Sequence, residues 1–172
     1  TTSVAATTFS SLRPRIGIAR GRAPKRESAD FDGDGKLDLV TGLAPAVIAA
    51  YRNISTVGTL TANSFAPRVN FSAGGVGPVV AVGDIDGDGK PDILSANQLG
   101  DNLSVLRNTS VAGIINASSF APRVDFATGG YPYGIAVSDL GGDGKADSTV
   151  ANAAVHSVSV FRNLSTAGSF TS

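Results

Sequence analysis

A nine-residue stretch rich in aspartate occurs three times, at residues 30–38 (DFDGDGKLD), 84–92 (DIDGDGKPD) and 139–147 (DLGGDGKAD). In the first two copies carboxylates stand at the first, third, fifth and ninth positions, and glycine at the sixth. A hard cation of calcium size needs several oxygens at about 2.3–2.6 Å from a short loop whose backbone can turn sharply. The stretch therefore reads as a calcium loop, with the side chains of Asp30, Asp32, Asp34 and Asp38, the backbone carbonyl of Lys36, and water as ligands. The distribution of charge agrees. Eleven of the fourteen acidic residues lie in these loops, leaving Glu27, Asp101 and Asp125 elsewhere. Carboxylates packed so densely raise one another's pKa unless a cation compensates them.

The EF-hand begins in the same way but needs a bidentate Glu at position 12 and a helix on each side. Position 12 is Thr41, Ser95 or Val150 here, and the flanks are strand-like, so that reading fails in all three copies. Simple Asp-Gly turns between strands are the remaining alternative. Turns do not require four carboxylates at fixed offsets. In the third copy Gly141 replaces the second carboxylate, which leaves turn chemistry a stronger competitor there.

The elements that would hold such loops are strands. Twenty-one glycines, much Ser, Thr, Asn, Val and Ala, one Glu, and no Met, Cys or Trp describe an all-β chain with tight turns. Without cysteine there are no disulfides, thiol chemistry or cysteine zinc sites. The formal net charge of zero gives no overall attraction to nucleic acid or to an acidic membrane. No run of 18 apolar residues is present, so no membrane-inserted helix is expected. The first residues, TTSVAATTF, lack the charged start and apolar core of a signal peptide, as a mature or excised chain would.

An internal repeat of about 55 residues sets the architecture. Asp30, Asp84 and Asp139 are 54 and 55 residues apart, and Arg52, Arg107 and Arg162 are 55 and 55 apart, each followed by Asn. Phe9, Phe65, Phe120 and Phe170 mark the same phase. In the middle period an apolar run (PVVAVG, 78–83) enters the loop, DILSAN (92–97) leaves it, a Gly-Asp-Asn turn leads to a third strand around residues 103–106, and FAPRVDF (120–126) alternates like an outer strand. Four short antiparallel strands per period predict a β-propeller blade. Three four-stranded repeats follow, over about 19–75, 76–130 and 131–172. The first period is irregular: GRAPKRESA (21–29) puts charges and a proline where an inner strand should run. That segment belongs to a basic cluster of Arg13, Arg15, Arg20, Arg22, Lys25 and Arg26, read as a degenerate blade whose inner strand is lost or displaced rather than as a polyanion site.

The order of apolar strand, DxDGDGxxD loop, DILSAN-like strand, Gly-Asp-Asn turn and LSVLRN resembles the FG-GAP or VCBS repeat of integrin-α-type β-propellers and many secreted proteins. The resemblance covers about residues 30–172. It implies calcium held between the first two strands of a blade by Asp84, Asp86, Asp88, Lys90 (carbonyl) and Asp92, and by Asp30, Asp32, Asp34, Lys36 and Asp38. In the third copy only Asp139, Asp143, Lys145 and Asp147 match, so that site should be weaker or empty. The expected occupancy is middle, first, third. It also implies an extracellular, secreted or cell-surface setting and rings of about seven blades. Three blades do not close a ring. Either a longer chain or association is then expected. The third blade lacks an outer strand after Phe170, and residues 9–18 are a surplus strand in that register. A homo-oligomer completed by strand donation, most simply a six-bladed dimer, is the leading expectation.

Other candidates carry little chemistry. His156 is the only histidine, so neither a histidine metal cluster nor a Ser-His-Asp triad fits within one chain. Gly74-Gly75 and Gly129-Gly130 read as turns between blades, not phosphate loops. The recurring arginines read as structural groups bonding neighbouring backbone carbonyls. Asn53, Asn102, Asn108, Asn116 and Asn163 begin N-x-Ser sequons, three of which simply follow the repeat. Tyr131 and Tyr133 beside a Gly-Gly turn either stack on a sugar or pack in the turn. The reading is a non-enzymatic, calcium-stabilised recognition or adhesion module with a carbohydrate or protein ligand. The alternatives are a structural propeller fragment with no ligand beyond calcium, and, less favoured, a hydrolase or lyase on a propeller scaffold.

Overall fold

A computed structural model describes residues 26–61 and 63–169. Among these residues there are eleven strands and no helix. They form three antiparallel sheets that are not closed into a ring. Blade 1 has the order β1 (Arg26–Ala29), β2 (Asp38–Leu43), β3 (Val47–Tyr51), β4 (Val69–Ser72). Blade 2 has β5 (Pro78–Gly83), β6 (Asp92–Asn97), β7 (Asn102–Leu106), β8 (Val124–Ala127). Blade 3 has β9 (Pro132–Ser138), β10 (Asp147–Asn152) and β11 (Ser157–Phe161), which is an edge. The segment expected to complete that edge, residues 9–18, lies outside the described residues, as does most of the basic cluster.

Two expectations need correction. The inner strand of blade 1 is neither lost nor displaced: Arg26, Glu27, Ser28 and Ala29 pair with Thr41, Val40, Leu39 and Asp38, the register that Val80 to Gly83 adopt against β6. Backbone pairing is indifferent to side-chain type, and these side chains are half or wholly exposed, so the charges stay in water. The outer strand of blade 2 is shorter than the alternating stretch 120–126. Pro122 has no N–H to give the ladder. Pairing to β7 starts only at Val124, while Phe120 bridges Asn108 and turns into the core.

The core lies between blades. One cluster joins Phe31, Val40, Ile48, Ala50 and Phe71 of the first repeat to Val80, Ile93, Leu106 and Phe120 of the second. The ring of Phe120 meets Phe31 and Phe71 edge-on, with centroids 5.7 and 5.0 Å apart. A second cluster joins Val79, Leu94, Leu103 and Val105 of blade 2 to Ile135 and Val150 of blade 3. This explains why β6 is buried at every position. A central blade is covered on both faces, so its strands need apolar residues on both.

Close approach of the blades depends on glycine at one point. A Cβ on Gly42 would lie 2.0 Å from the backbone oxygen of Pro78 in the next blade. Gly42→Ala is expected to destabilise the chain by roughly 1–3 kcal/mol, read from urea unfolding. Gly134→Ala, whose Cβ would meet nothing nearer than 3.7 Å, should be close to neutral; equal effects would contradict the packing described.

Candidate metal centre

Each loop joins the first two strands of its blade, and all three share one backbone. Glycines at the fourth and sixth positions have positive φ: +68° and +83° (Gly33, Gly35), +71° and +85° (Gly87, Gly89), +71° and +82° (Gly142, Gly144). Only glycine adopts this left-handed region without strain. The damaged third loop therefore keeps the fold of the other two.

The first aspartate organises the turn. Asp30 accepts the N–H groups of Asp34 (3.1 Å) and Gly35 (2.8 Å), Asp84 those of Gly87 (2.7 Å) and Gly89 (2.9 Å), and Asp139 those of Gly142 (2.6 Å) and Gly144 (2.8 Å). The fifth-position aspartates Asp34, Asp88 and Asp143 accept the N–H of Lys36, Lys90 and Lys145. The ninth, buried in every copy, binds the loop to the end of the third strand. Asp92 accepts Ile85 N–H (2.9 Å) with one oxygen and Asn108 N–H (2.7 Å) with the other. Asp38 does the same with Phe31 and Asn53, and Asp147 with Leu140 and Asn163.

Carboxylate oxygens converge in two loops. Asp84, Asp86 and Asp88 present oxygens within 4.8 Å of one another, as do Asp30, Asp32 and Asp38. In the second loop Asp86 Oδ2 is buried and has no hydrogen-bond partner among the described residues, and Arg107 stands 3.9 Å away while donating to Gly168 O instead. A buried carboxylate oxygen left without a donor is costly. A small hard cation fits that vacancy in the bonding. In the first loop Arg52 donates from Nε to Asp32 and from Nη2 to Asp34 (3.1 Å), so a guanidinium already neutralises the same carboxylates. The third loop, with Gly141 in place of a carboxylate, assembles no such group, and Arg162 lies 3.6 Å from Asp143. The recurring arginines thus serve mainly as counter-ions; only Arg107 bonds a backbone carbonyl as the repeat suggested.

Burial acts on the same groups. Asp38 and Asp92 are pushed up to about 6, first by desolvation and then by neighbouring aspartates, against the hydrogen bonds that favour their ionised forms. Asp86 is also raised, chiefly by burial and then by Asp88. Asp147 is held below the usual carboxylate range, first by the N–H of Asn163. The N–H groups of Leu140 and Gly141 act in the same direction and outweigh burial, which opposes the ionised form.

A further feature, which no local motif announces, is a clasp from the next blade. Asn108 Nδ2 and Ser110 Oγ of blade 2 donate to Phe31 O in the first loop (2.9 and 2.6 Å), and Gly113 N–H to Asp32 O (2.9 Å). Asn163 Nδ2, Ser165 Oγ and Gly168 N–H of blade 3 repeat this on Ile85 O (2.7 and 2.9 Å) and Asp86 O (3.1 Å). The recurring N-x-Ser sequons are these clasps, and Asn108 is buried. His156 is exposed in a turn, and Tyr131 and Tyr133 are exposed rather than packed.

The FG-GAP-like repeat model matches residues 30–95 and 84–150. The chain belongs to the FG-GAP-like repeat family. The comparison with curated proteins and the comparison with solved structures each returned no match. FG-GAP-like repeats point to a propeller-type adhesion or recognition module, and the family is typically non-enzymatic. The acidic clusters of its first two loops are groups that can hold a metal.

Two outcomes follow. Asn108→Ala leaves Phe31 O and Pro91 O without the amide they share, and should cost roughly 1–3 kcal/mol in urea unfolding. In chelator, raised carboxyl pKa values mean that the folded chain holds protons the unfolded chain has lost. The metal-free melting temperature should fall as pH rises from about 4 to about 6, and the double variant Asp38→Asn/Asp92→Asn should flatten that slope. A melting temperature that climbs steadily over the same range would contradict it.

Proposed function

We propose that the chain is a calcium-stabilised, non-enzymatic recognition or adhesion module that works outside the cell. The observation that carries this reading is Asp86 Oδ2, a buried carboxylate oxygen without a donor, in a loop where Asp84 and Asp88 bring two more oxygens close. Calcium there would be held by Asp84, Asp86, Asp88, the Lys90 carbonyl and Asp92. It would supply charge compensation and fix the hairpin between β5 and β6. Because the ion binds ionised carboxylates gathered only by the fold, its binding energy adds to folding. Loop 1 ranks second because a cation must displace the guanidinium of Arg52 from Asp32 and Asp34. Loop 3 ranks last because it lacks the third-position ligand.

For the ligand, carbohydrate or another protein is the reading. The exposed rings of Tyr131, in the turn between blades 2 and 3, and of Tyr133, near the start of β9, offer apolar, stackable faces. A recognition surface on loops of a rigid scaffold is the usual use of a propeller.

Chelation should lower the melting temperature by several degrees at neutral pH, and calcium should restore it. Asp86→Asn should remove most of that response and Asp143→Asn little of it, both followed by calorimetry. An identical melting curve with and without chelator would falsify the calcium reading. A glycan array probed with the calcium-loaded chain and with Tyr133→Ala tests the carbohydrate reading, which fails if nothing is retained or if the variant binds equally.

A further inference from the structure

We propose that the third loop is completed by a second copy of the chain, whose first blade packs on the open face of blade 3 and inserts its own clasp there. At both junctions within the chain, the loop of one blade is clasped by the Asn, Ser and Gly that follow the third strand of the next. The second-position side chains beneath these junctions are shielded, with Phe31 1 % and Ile85 9 % exposed. In the third loop the equivalent residue, Leu140, is 56 % exposed although the loop glycines keep the same conformation.

The donor for this vacant junction exists at the other end of the molecule. In blade 1, Ser55 N–H bonds Asn53 Oδ1 (3.0 Å), as Ser110 does with Asn108 and Ser165 with Asn163 (both 2.9 Å). Gly58 has φ +79°, matching +74° at Gly113 and +75° at Gly168. Thr59 N–H closes the turn on Thr56 O as Ile114 does on Val111 O. The clasp is thus fully formed, yet among the described residues Ser55 Oγ and Gly58 N–H meet no acceptor. Leu140 O and Gly141 O are the counterparts of the carbonyls such a clasp bonds elsewhere.

The sheet surfaces agree. Leu103 and Val105 of β7 are buried beneath blade 3, whereas their register equivalents on β11, Val158 and Val160, are each 62 % exposed. What covers the face of a blade in this molecule is the next blade, and a copy of blade 1 brings both the surface and the matching clasp. Head-to-tail contacts close into a ring only at certain numbers. Propellers hold about four to eight blades, so copies of a three-bladed unit close at two. The contact needs neither calcium nor residues 9–18.

Sedimentation of the 172-residue chain tests this, with a dimer of 17.3 kDa subunits expected. Ser55→Lys places a long charged chain where its counterpart Ser110 is buried, and Val160→Arg blocks the receiving face. Each variant alone should sediment as a monomer with an unchanged far-ultraviolet spectrum. Their mixture should give a one-to-one heterodimer, because one copy keeps its face and the other its clasp. A monomeric parent chain, a dimer persisting in both variants, or a mixture that stays monomeric would overturn the proposal. Should either variant lose its β spectrum, Ser55→Ala and Val160→Thr replace it and should weaken the dimer about tenfold or more; an unchanged constant overturns the proposal equally. Because mass is the readout, a chain that dimerises without responding to calcium upholds this contact and overturns only the calcium reading.

Discussion

The aspartate at the ninth position of each loop ties a blade together. One oxygen of Asp38, Asp92 or Asp147 takes the N–H of the second loop residue, and the other takes the N–H of the asparagine that ends the third strand. A loop, the start of β2, β6 or β10, and the exit from β3, β7 or β11 are thereby fixed by one buried carboxylate. In blades 1 and 2 burying that carboxylate in its charged form costs the fold energy, which is why Asp38 and Asp92 hold their protons to about 6, whereas the hydrogen bonds prevail at Asp147 and lower it. The fold accepts the cost because each oxygen satisfies a buried backbone donor that would otherwise go unpaired.

From this staple the junctions follow. With the loop held in place, its second-position carbonyl points at the neighbouring blade and receives the clasp, while its second-position side chain fills the space between the sheets. Phe31 does so against Phe120, and Ile85 sits in the second interblade cluster. The same nine residues thus serve three ends: turn, packing and electrostatics. A blade in isolation would leave much of this apolar surface in water, so stability belongs to pairs of blades, as in other repeat architectures.

The three loops share a backbone but solve their charge problem in different ways. Loop 1 uses a guanidinium from its own third strand, since Arg52 reaches Asp32 and Asp34. Loop 2 diverts its arginine to Gly168 O and keeps an oxygen on Asp86 that receives no hydrogen bond from the described residues. Loop 3 has lost a carboxylate, and with it most of the repulsion. Small changes in one arginine's direction, set by what the next blade offers it, decide which loop carboxylates receive a guanidinium.

Much of this was legible in the chain. The spacing of Asp and Gly specifies the loop, because side-chain oxygens and positive-φ positions are local requirements. The 55-residue period and the run PVVAVG specify strands and a buried middle blade, because burial on both faces demands apolar residues on both. Two things are misleading in the side-chain pattern: Arg26–Ala29 reads as too polar for a strand, and residues 120–123 read as part of the outer strand, which begins at Val124. In each case the deciding fact was backbone pairing, which the side-chain pattern reports only indirectly. Only the tertiary structure reveals that the N-x-Ser segments clasp the loop of the preceding blade, since Asn108 and Phe31 are 77 residues apart. It alone places Arg52 on its loop, turns Arg107 toward Gly168 O, and leaves Asp86 Oδ2 without a hydrogen-bond donor among the described residues. Those outcomes depend on where one blade sits against another, and no window of the sequence contains both.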